Sequence, residues 1–383
     1  MSTVEPFTIR VDDEVLADLR ERIRRTRWPD EVPGVGWAQG TDLSYLRDLL
    51  DYWADGFDWR AQERELNRYH HFQAELDGDR VHFVHERAAG GEGVPLVLTH
   101  GWPSTFVEYL GLVPYLTDPA GHGIDGPAFD VVIPSLPGYG FSPRPRRTGV
   151  TYRYVAARWH QLMRELGYPR YGAHGGDFGS GVAAFMALDD PAPMIGIHLT
   201  NLDVPPYDGP DAAPLTEAER AYRDQVRRWD EVERGYSAIQ STRPQTLGYG
   251  LNDSPAGLAA WILEKWRSWT DSGGDLDARF SRDFLLTTLT VYWVSQSITS
   301  SVRDYFDNRW YRAKIGPDDR IRVPTAIAGF VHQFVPEGEP PREWVERLYQ
   351  VRRWTPMPRG GHFAPAEEPE LVARDLAAFF AEL

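Results

Sequence analysis

Seven residues, His174-Gly175-Gly176-Asp177-Phe178-Gly179-Ser180, limit what this chain can fold into more than any other stretch. An apolar run leads into them, and a helix-competent run, Val182 to Leu188, leaves them. The order is therefore strand, sharp turn, helix. Small residues two positions either side of Asp177 match the nucleophile-elbow pattern, in which a strained turn holds the central side chain exposed above a parallel sheet. Here that side chain is a carboxylate. Attack by a carboxylate on an ester gives a labile anhydride, whereas attack on an alkyl carbon gives an ordinary ester that water can later cleave. The pattern implies an alkyl electrophile, such as an epoxide or a halide, as substrate. A Gly-Gly-Asp-x-Gly surface turn would use the same residues, because glycine and aspartate are common turn formers.

The surrounding chain extends the pattern. Val81-His82-Phe83-Val84-His85 reads as a strand, Val94 to Thr99 as a more buried one, and the latter runs into His100-Gly101-Trp102-Pro103-Ser104. A strand ending in His-Gly-x-Pro offers backbone N–H groups to a developing oxyanion. Phe129 to Pro134 is a further apolar strand, ending in Leu136-Pro-Gly-Tyr-Gly-Phe-Ser142; a helix over about Thr151 to Leu166 separates it from the elbow strand, and Met194 to Leu199 follows the elbow helix. Strands alternating with helices imply right-handed crossovers and a mostly parallel sheet. The alternation lapses after Pro206 and returns at Arg322 to Phe330. The residues between are helical and aromatic, among them Trp229, Tyr236, Trp261, Trp266, Trp269, Tyr292, Trp293 and Tyr305. Inserted at the ligand-binding edge, they are expected to form a lid, the alternative being a helical subdomain packed elsewhere. A last strand is expected at Thr355-Pro356-Met357-Pro358, followed by Arg359-Gly360-Gly361-His362-Phe363 and an amphipathic helix, Glu370 to Phe380. A histidine on a Gly-Gly loop, near the sheet edge and outside the core, suits a general base.

Before the sheet, Val15, Leu16, Leu19 and Ile23 form a helical stripe that Trp28-Pro29-Asp30 stops, and Tyr45 to Trp53 forms a second. His70 and His71 are adjacent, so on a strand they point to opposite faces and favour a structural role over metal binding. A net charge of −15 disfavours nucleic acid and anionic membranes as partners. The absence of cysteine removes thiolate nucleophiles, disulfides and Cys-ligated metals. No signal-peptide pattern or bilayer-length apolar run is read, so a cytoplasmic protein is expected, with neither cofactor nor metal.

Asp177, a long insert and His362 near the C-terminus follow the nucleophile, acid, histidine order of α/β-hydrolases. Together His100-Gly-Trp-Pro, Pro137-Gly-Tyr-Gly-Phe-Ser142, His174 to Ser180, Leu251-Asn-Asp-Ser-Pro-Ala-Gly-Leu-Ala259 and Gly360-Gly-His-Phe-Ala364 resemble the microsomal-type epoxide hydrolases, over nearly the whole chain. The likeness is to soluble bacterial members, without the membrane anchor of the animal ones. The fold it implies is an α/β-hydrolase fold with a mostly parallel central sheet, a helical lid insert and an N-terminal epoxide-hydrolase-type extension. Its expected parts are an N-terminal domain at 1–90, a core at 91–205 and 318–383, and a lid at 206–317.

Carried over residue by residue, the resemblance makes Asp177 the nucleophile and His362 the base that activates water. It gives the oxyanion hole to the backbone N–H groups of Trp102 and Phe178, and proton donation to the lid tyrosines Tyr236 and Tyr305. The acid that should orient His362 departs from the family's Phe-x-x-Glu pattern, because Phe330 is followed by Val331-His332-Gln333 and then by a longer loop containing Glu337 and Glu339. Glu337 is favoured over Gln333, since an amide cannot stabilise imidazolium as a carboxylate does. Asp203 is the second candidate and Glu339 the third. The implied reaction converts an apolar or aromatic epoxide and water to a vicinal diol through an aspartyl ester. A haloalkane dehalogenase would share Asp177, His362 and the fold, with an N–H donor such as Trp102 in place of the tyrosines. A non-catalytic relative that binds an apolar ligand is the remaining alternative, and a homodimer is left open.

Overall fold

The computed structural model describes residues 4–330 and 340–383. Among these, one sheet contains β1 (Val4–Phe7), β2 (His71–Leu76), β3 (Asp79–Glu86), β4 (Val94–Thr99), β5 (Phe129–Pro134), β6 (Tyr171–Gly175), β7 (Met194–Leu199), β8 (Ile321–Gly329) and β9 (Tyr349–Pro356). The spatial order is β1-β2-β3-β5-β4-β6-β7-β8-β9. The first four strands of that row pair antiparallel, and every pair from β5-β4 to β8-β9 is parallel.

β5 and β6 are buried along their whole length, as is β4 from Leu96 to Thr99. Strands covered on both faces have no solvated side to alternate towards, which is why they read as unbroken apolar runs. The covers can be assigned from β6, where successive side chains point to opposite faces. The Tyr171 hydroxyl meets His160 of the helix Tyr152–Glu165, at 2.6 Å. On the other face, a Cβ at Gly172 would run into Phe380 of the helix Pro369–Phe380.

The chain leaves β4 in one direction to make β5 and returns to the other side of β4 to make β6. This reversal is the switch point where open parallel sheets bind ligands, at the carboxyl ends of the strands. β4 exits into His100-Gly101-Trp102, and β6 exits into Gly176-Asp177. Topology alone therefore brings two of the sequence motifs face to face.

Between β7 and β8 lie the helices Glu217–Glu233, Gly235–Gln240, Pro244–Asp253, Pro255–Trp269, Arg282–Ser295 and Ile298–Trp310. Their starts follow local chemistry. Thr216 and Glu219 form a reciprocal capping box, and Ser254 caps a helix with proline in its first turn. Two of these helices rest on the loop after β4, with Trp266 Nε1 donating to Pro103 O at 3.1 Å and Tyr292 Oη donating to Ser104 O at 2.8 Å. The N-terminal helices Asp13–Arg24 and Leu43–Asp55 grip the insert from outside. Arg22 donates to Asp253 Oδ1 at 2.6 Å, Trp53 Nε1 to Thr290 Oγ1 at 2.9 Å and Tyr52 Oη to Asp283 Oδ1 at 2.8 Å.

The structure departs from the sequence reading at several points. The last strand is Tyr349–Pro356, ending close to where the sequence pattern begins it. It lies at the sheet edge and intersperses Tyr349, Val351 and Trp354 with Gln350, Arg352 and Arg353, so it lacks the continuous apolar signal of β4 to β6. The first helix stops at Arg24, short of Trp28, and Val15 stands at its exposed margin while Leu16, Leu19 and Ile23 are buried. His71 is buried and bonded to Leu66 O and His82, whereas His70 is exposed beside Glu86. No helix among the described residues is long and apolar enough to cross a membrane.

Candidate active site

Asp177 sits between β6 and the helix Phe178–Asp189 with φ 49° and ψ −130°. A non-glycine residue held there costs on the order of 1–3 kcal/mol, so its surroundings must enforce it. They do so by close approach: a Cβ at Gly175 would overlap the Gly179 backbone, and one at Gly179 would overlap Thr99 O. That is the packing reason for small residues two positions either side. From outside the elbow, Asn201 Oδ1 accepts the Asp177 N–H at 2.7 Å.

The carboxylate is held at both oxygens. Oδ1 accepts the Trp102 backbone N–H at 2.8 Å, and Oδ2 lies 3.4 Å from His362 Nε2. Gly101 is required for this approach, because a Cβ there would overlap the Asp177 side chain. His100 fixes the donor loop. Its Nε2 accepts the Leu136 N–H at 3.2 Å, so the proton is on Nδ1, which donates to Gly101 O at 3.1 Å. Only the neutral ring can make both bonds, and burial pushes its pKa down to about 4. Phe178, the first residue of the helix, supplies a backbone N–H from a helix N-terminus, where the leading donors lack intrahelical acceptors.

The sequence places His362 outside the core, but the structure leaves it only 6% exposed. The insert covers it: Trp269 O accepts the His362 N–H at 2.8 Å, and the Trp269 ring meets the imidazole edge-on at 5.0 Å. That backbone bond ties the histidine loop directly to the insert. Glu367 ties it a second time, accepting the Phe363 N–H at 3.1 Å and the Asp271 N–H at 2.8 Å. Burial pushes the Glu367 carboxyl up to about 7, against the pull of those N–H groups and Arg279. Asp271 returns the contact, its Oδ2 accepting the Gly360 N–H at 3.0 Å.

Tyr236 and Tyr305 arrive from separate helices and meet with ring centroids 5.8 Å apart at 82°. Trp102 brings them together, stacking on Tyr236 at 5.6 Å and 8° and meeting Tyr305 edge-on at 5.6 Å. Burial, followed by the Asp177 charge for Tyr236 and by Tyr236 itself for Tyr305, holds both phenols well above their ordinary pKa. Both are therefore O–H donors at neutral pH.

A cavity of about 1300 Å³ reaches Asp177, Phe178 and Tyr305 at its inner end, with Trp229, Trp344 and Trp354 in its walls. Asp203 also lines it. Burial and then the Asp177 charge push the Asp203 carboxyl up to about 7, while a hydrogen bond with Tyr152 pulls the other way. Sequence reasoning thus finds Asp177, His362, Trp102, Phe178, Tyr236 and Tyr305, which the structure brings together, and Asp203 beside them. Glu337, Glu339 and Gln333 lie outside the described residues. Sequence reasoning misses the work of Asn201, His100, Trp269 and Glu367, each of which acts through a contact to a distant part of the chain. Among the described residues, no group of three His, Cys, Asp or Glu side chains could hold a metal ion.

Comparison with known proteins is consistent along the chain. Residues 4–109 match the family model for the epoxide hydrolase N terminus, and residues 94–238 match that for the alpha/beta hydrolase fold. A "Putative epoxide hydrolase" of Stigmatella aurantiaca is 39% identical, over 99% of this chain and 85% of its own length. Epoxide hydrolase 1 of Sus scrofa is 35% identical, over 98% of this chain and 88% of its own. Among solved structures, juvenile hormone epoxide hydrolase from the silkworm Bombyx mori superposes with a TM-score of 0.84 at 31% identity, covering 100% of this chain and 94% of that one.

Proposed function

The chain belongs to the epoxide hydrolase family, and from that premise we propose that it hydrolyses an apolar or aromatic epoxide to a vicinal diol through an ester on Asp177. One observation carries the reading. The Asp177 carboxylate has one oxygen on the Trp102 N–H and the other at His362 Nε2, beside two buried phenols.

In the first step Asp177 Oδ2 attacks an epoxide carbon. The C–O bond of the ring breaks with its electron pair on oxygen, and a proton from Tyr236 or Tyr305 meets that oxygen as its charge develops. Oδ1, already on an N–H donor, becomes the ester carbonyl. In the second step His362 Nε2 takes a proton from water, which attacks Cγ, and the charge that develops on Oδ1 falls to the Trp102 and Phe178 N–H groups. These donors act where charge appears only in the transition state, the condition under which binding becomes catalysis. Collapse passes the remaining proton of that water to the leaving oxygen, releases the diol and restores the carboxylate. The proton held by His362 returns to the phenolate, so one epoxide and one water give one diol.

We assign Glu337 as the acid that orients His362. Asp203 suits that role less well, because its burial raises the carboxyl and so opposes the ionised form that would hold the imidazolium. Glu339 is the further alternative. We take residues 206–317 as the lid, residues 1–90 as the N-terminal domain bracing it, and 91–205 with 318–383 as the core.

The test is a panel of aryl and alkyl epoxides with Tyr236→Phe, Tyr305→Phe and the double variant, following diol and protein adduct together. Loss of adduct formation supports phenol-assisted ring opening. Unchanged adduct formation in the double variant would exclude both phenols as the proton donor.

A further inference from the structure

Of the 41 lysine and arginine residues, only Lys265 and Lys314 are lysine. Lys265 is 7% exposed and lies on the helix Pro255–Trp269, one turn before Trp269. Its Nζ stands 4.6 Å from the centroid of the Tyr236 ring and 5.9 Å from that of Trp269. Glu264, at the rim, pairs with the same ammonium. A chain that otherwise uses arginine almost throughout has placed a compact point charge over the ring of a tyrosine that stacks on Trp102, whose backbone N–H holds the Asp177 carboxylate. A guanidinium is a wider, planar group and would not replace it there.

We infer that Lys265 is a positioning residue for ring opening, acting through Tyr236. An ammonium over an aromatic face is attracted by the electron density of the ring, and more strongly when the ring is desolvated. As Tyr236 gives its proton to the departing epoxide oxygen, negative charge spreads from the phenol oxygen into the ring. The attraction therefore grows towards the transition state, which is what accelerates a step. Lys265 itself transfers no proton and touches no substrate atom. Glu264 balances its charge outside the cluster, so the ammonium remains paired when the ring is neutral. The inference rests on the reading of Tyr236 as a proton donor.

The experiment is a double-mutant cycle on single-turnover rates, with adduct formation and adduct hydrolysis resolved by rapid quench and intact mass. Lys265→Met keeps chain length and removes the charge. It is expected to slow adduct formation about tenfold to thirtyfold, to leave adduct hydrolysis unchanged, and to have no further effect in a Tyr236→Phe background. Lys265→Cys, aminoethylated after purification, restores the ammonium, and the chain has no native cysteine to react in its place. If Lys265→Met does not fold, Lys265→Cys before and after aminoethylation gives the same comparison. Equal slowing with and without the Tyr236 hydroxyl would overturn the inference, as would an unchanged rate in Lys265→Met where Tyr236→Phe is slow. An unchanged rate in Tyr236→Phe would instead overturn the donor reading, and this inference with it.

Discussion

Asn201→Ala isolates the device that holds the elbow. In the parent, Asn201 Oδ1 accepts the Asp177 N–H at 2.7 Å while Asp177 is held at φ 49°. Truncation leaves that N–H without its side-chain acceptor, a loss of about 1–3 kcal/mol. The conformational cost it offsets is of the same order, about 1–3 kcal/mol. With the two nearly balanced, the strained conformer ceases to dominate, and each 1.4 kcal/mol lowers the competent fraction about tenfold. Adduct formation should therefore slow about tenfold to hundredfold, while the melting temperature falls by a few degrees. Single-turnover adduct formation by intact mass, beside a thermal melt, measures both. An Asn201→Ala protein that forms adduct within about twofold of the parent rate and melts with it would refute the argument that this bond holds the nucleophile.

Other consequences follow from named contacts. Gly101→Ala puts a Cβ into the Asp177 side chain, so it should fold and lose adduct formation by at least about hundredfold, checked by circular dichroism and intact mass. His100→Leu removes the two bonds by which that ring ties the Trp102 loop to Leu136; adduct hydrolysis, which uses the oxyanion donor, should slow more than adduct formation, and equal slowing in rapid quench would contradict this. Glu108 is buried, and that burial pushes its carboxyl up from 4.5 to about 8. Such a group keeps its proton longer folded than unfolded, so stability falls as pH rises across that window. Glu108→Gln should remove that loss, its urea midpoint gaining on the parent as pH rises, and a constant difference would exclude the effect. Asp203→Asn should retain turnover if Glu337 serves His362; a stalled adduct in its mass spectrum would reassign the acid.

The fold is legible where local sequence carries the whole cause. β4, β5 and β6 are covered on both faces and show it as apolar runs, and the elbow shows its glycines because the backbone approaches Thr99 O too closely for a Cβ. Edge strand β9 is harder to place because polar residues interrupt its apolar ones. The site is legible as far as motifs reach. Asp177, His362, Tyr236 and Tyr305 sit in motifs, but composition alone would not select two tyrosines from 18. Asn201, Trp269 and Glu367 carry no local signal, because each owes its place to a partner far along the chain. Asn201 is 24 residues from Asp177, and Glu367 is 96 from Asp271.

The ester on Asp177 is tested most simply by intact and peptide mass of the protein quenched during turnover of an aryl epoxide, in the parent and in His362→Gln. A one-equivalent gain of the epoxide mass is expected on the peptide containing Asp177, transient in the parent, accumulating in His362→Gln and absent in Asp177→Asn. Diol release by the parent with no adduct at any time, or an adduct that persists in Asp177→Asn, would contradict it.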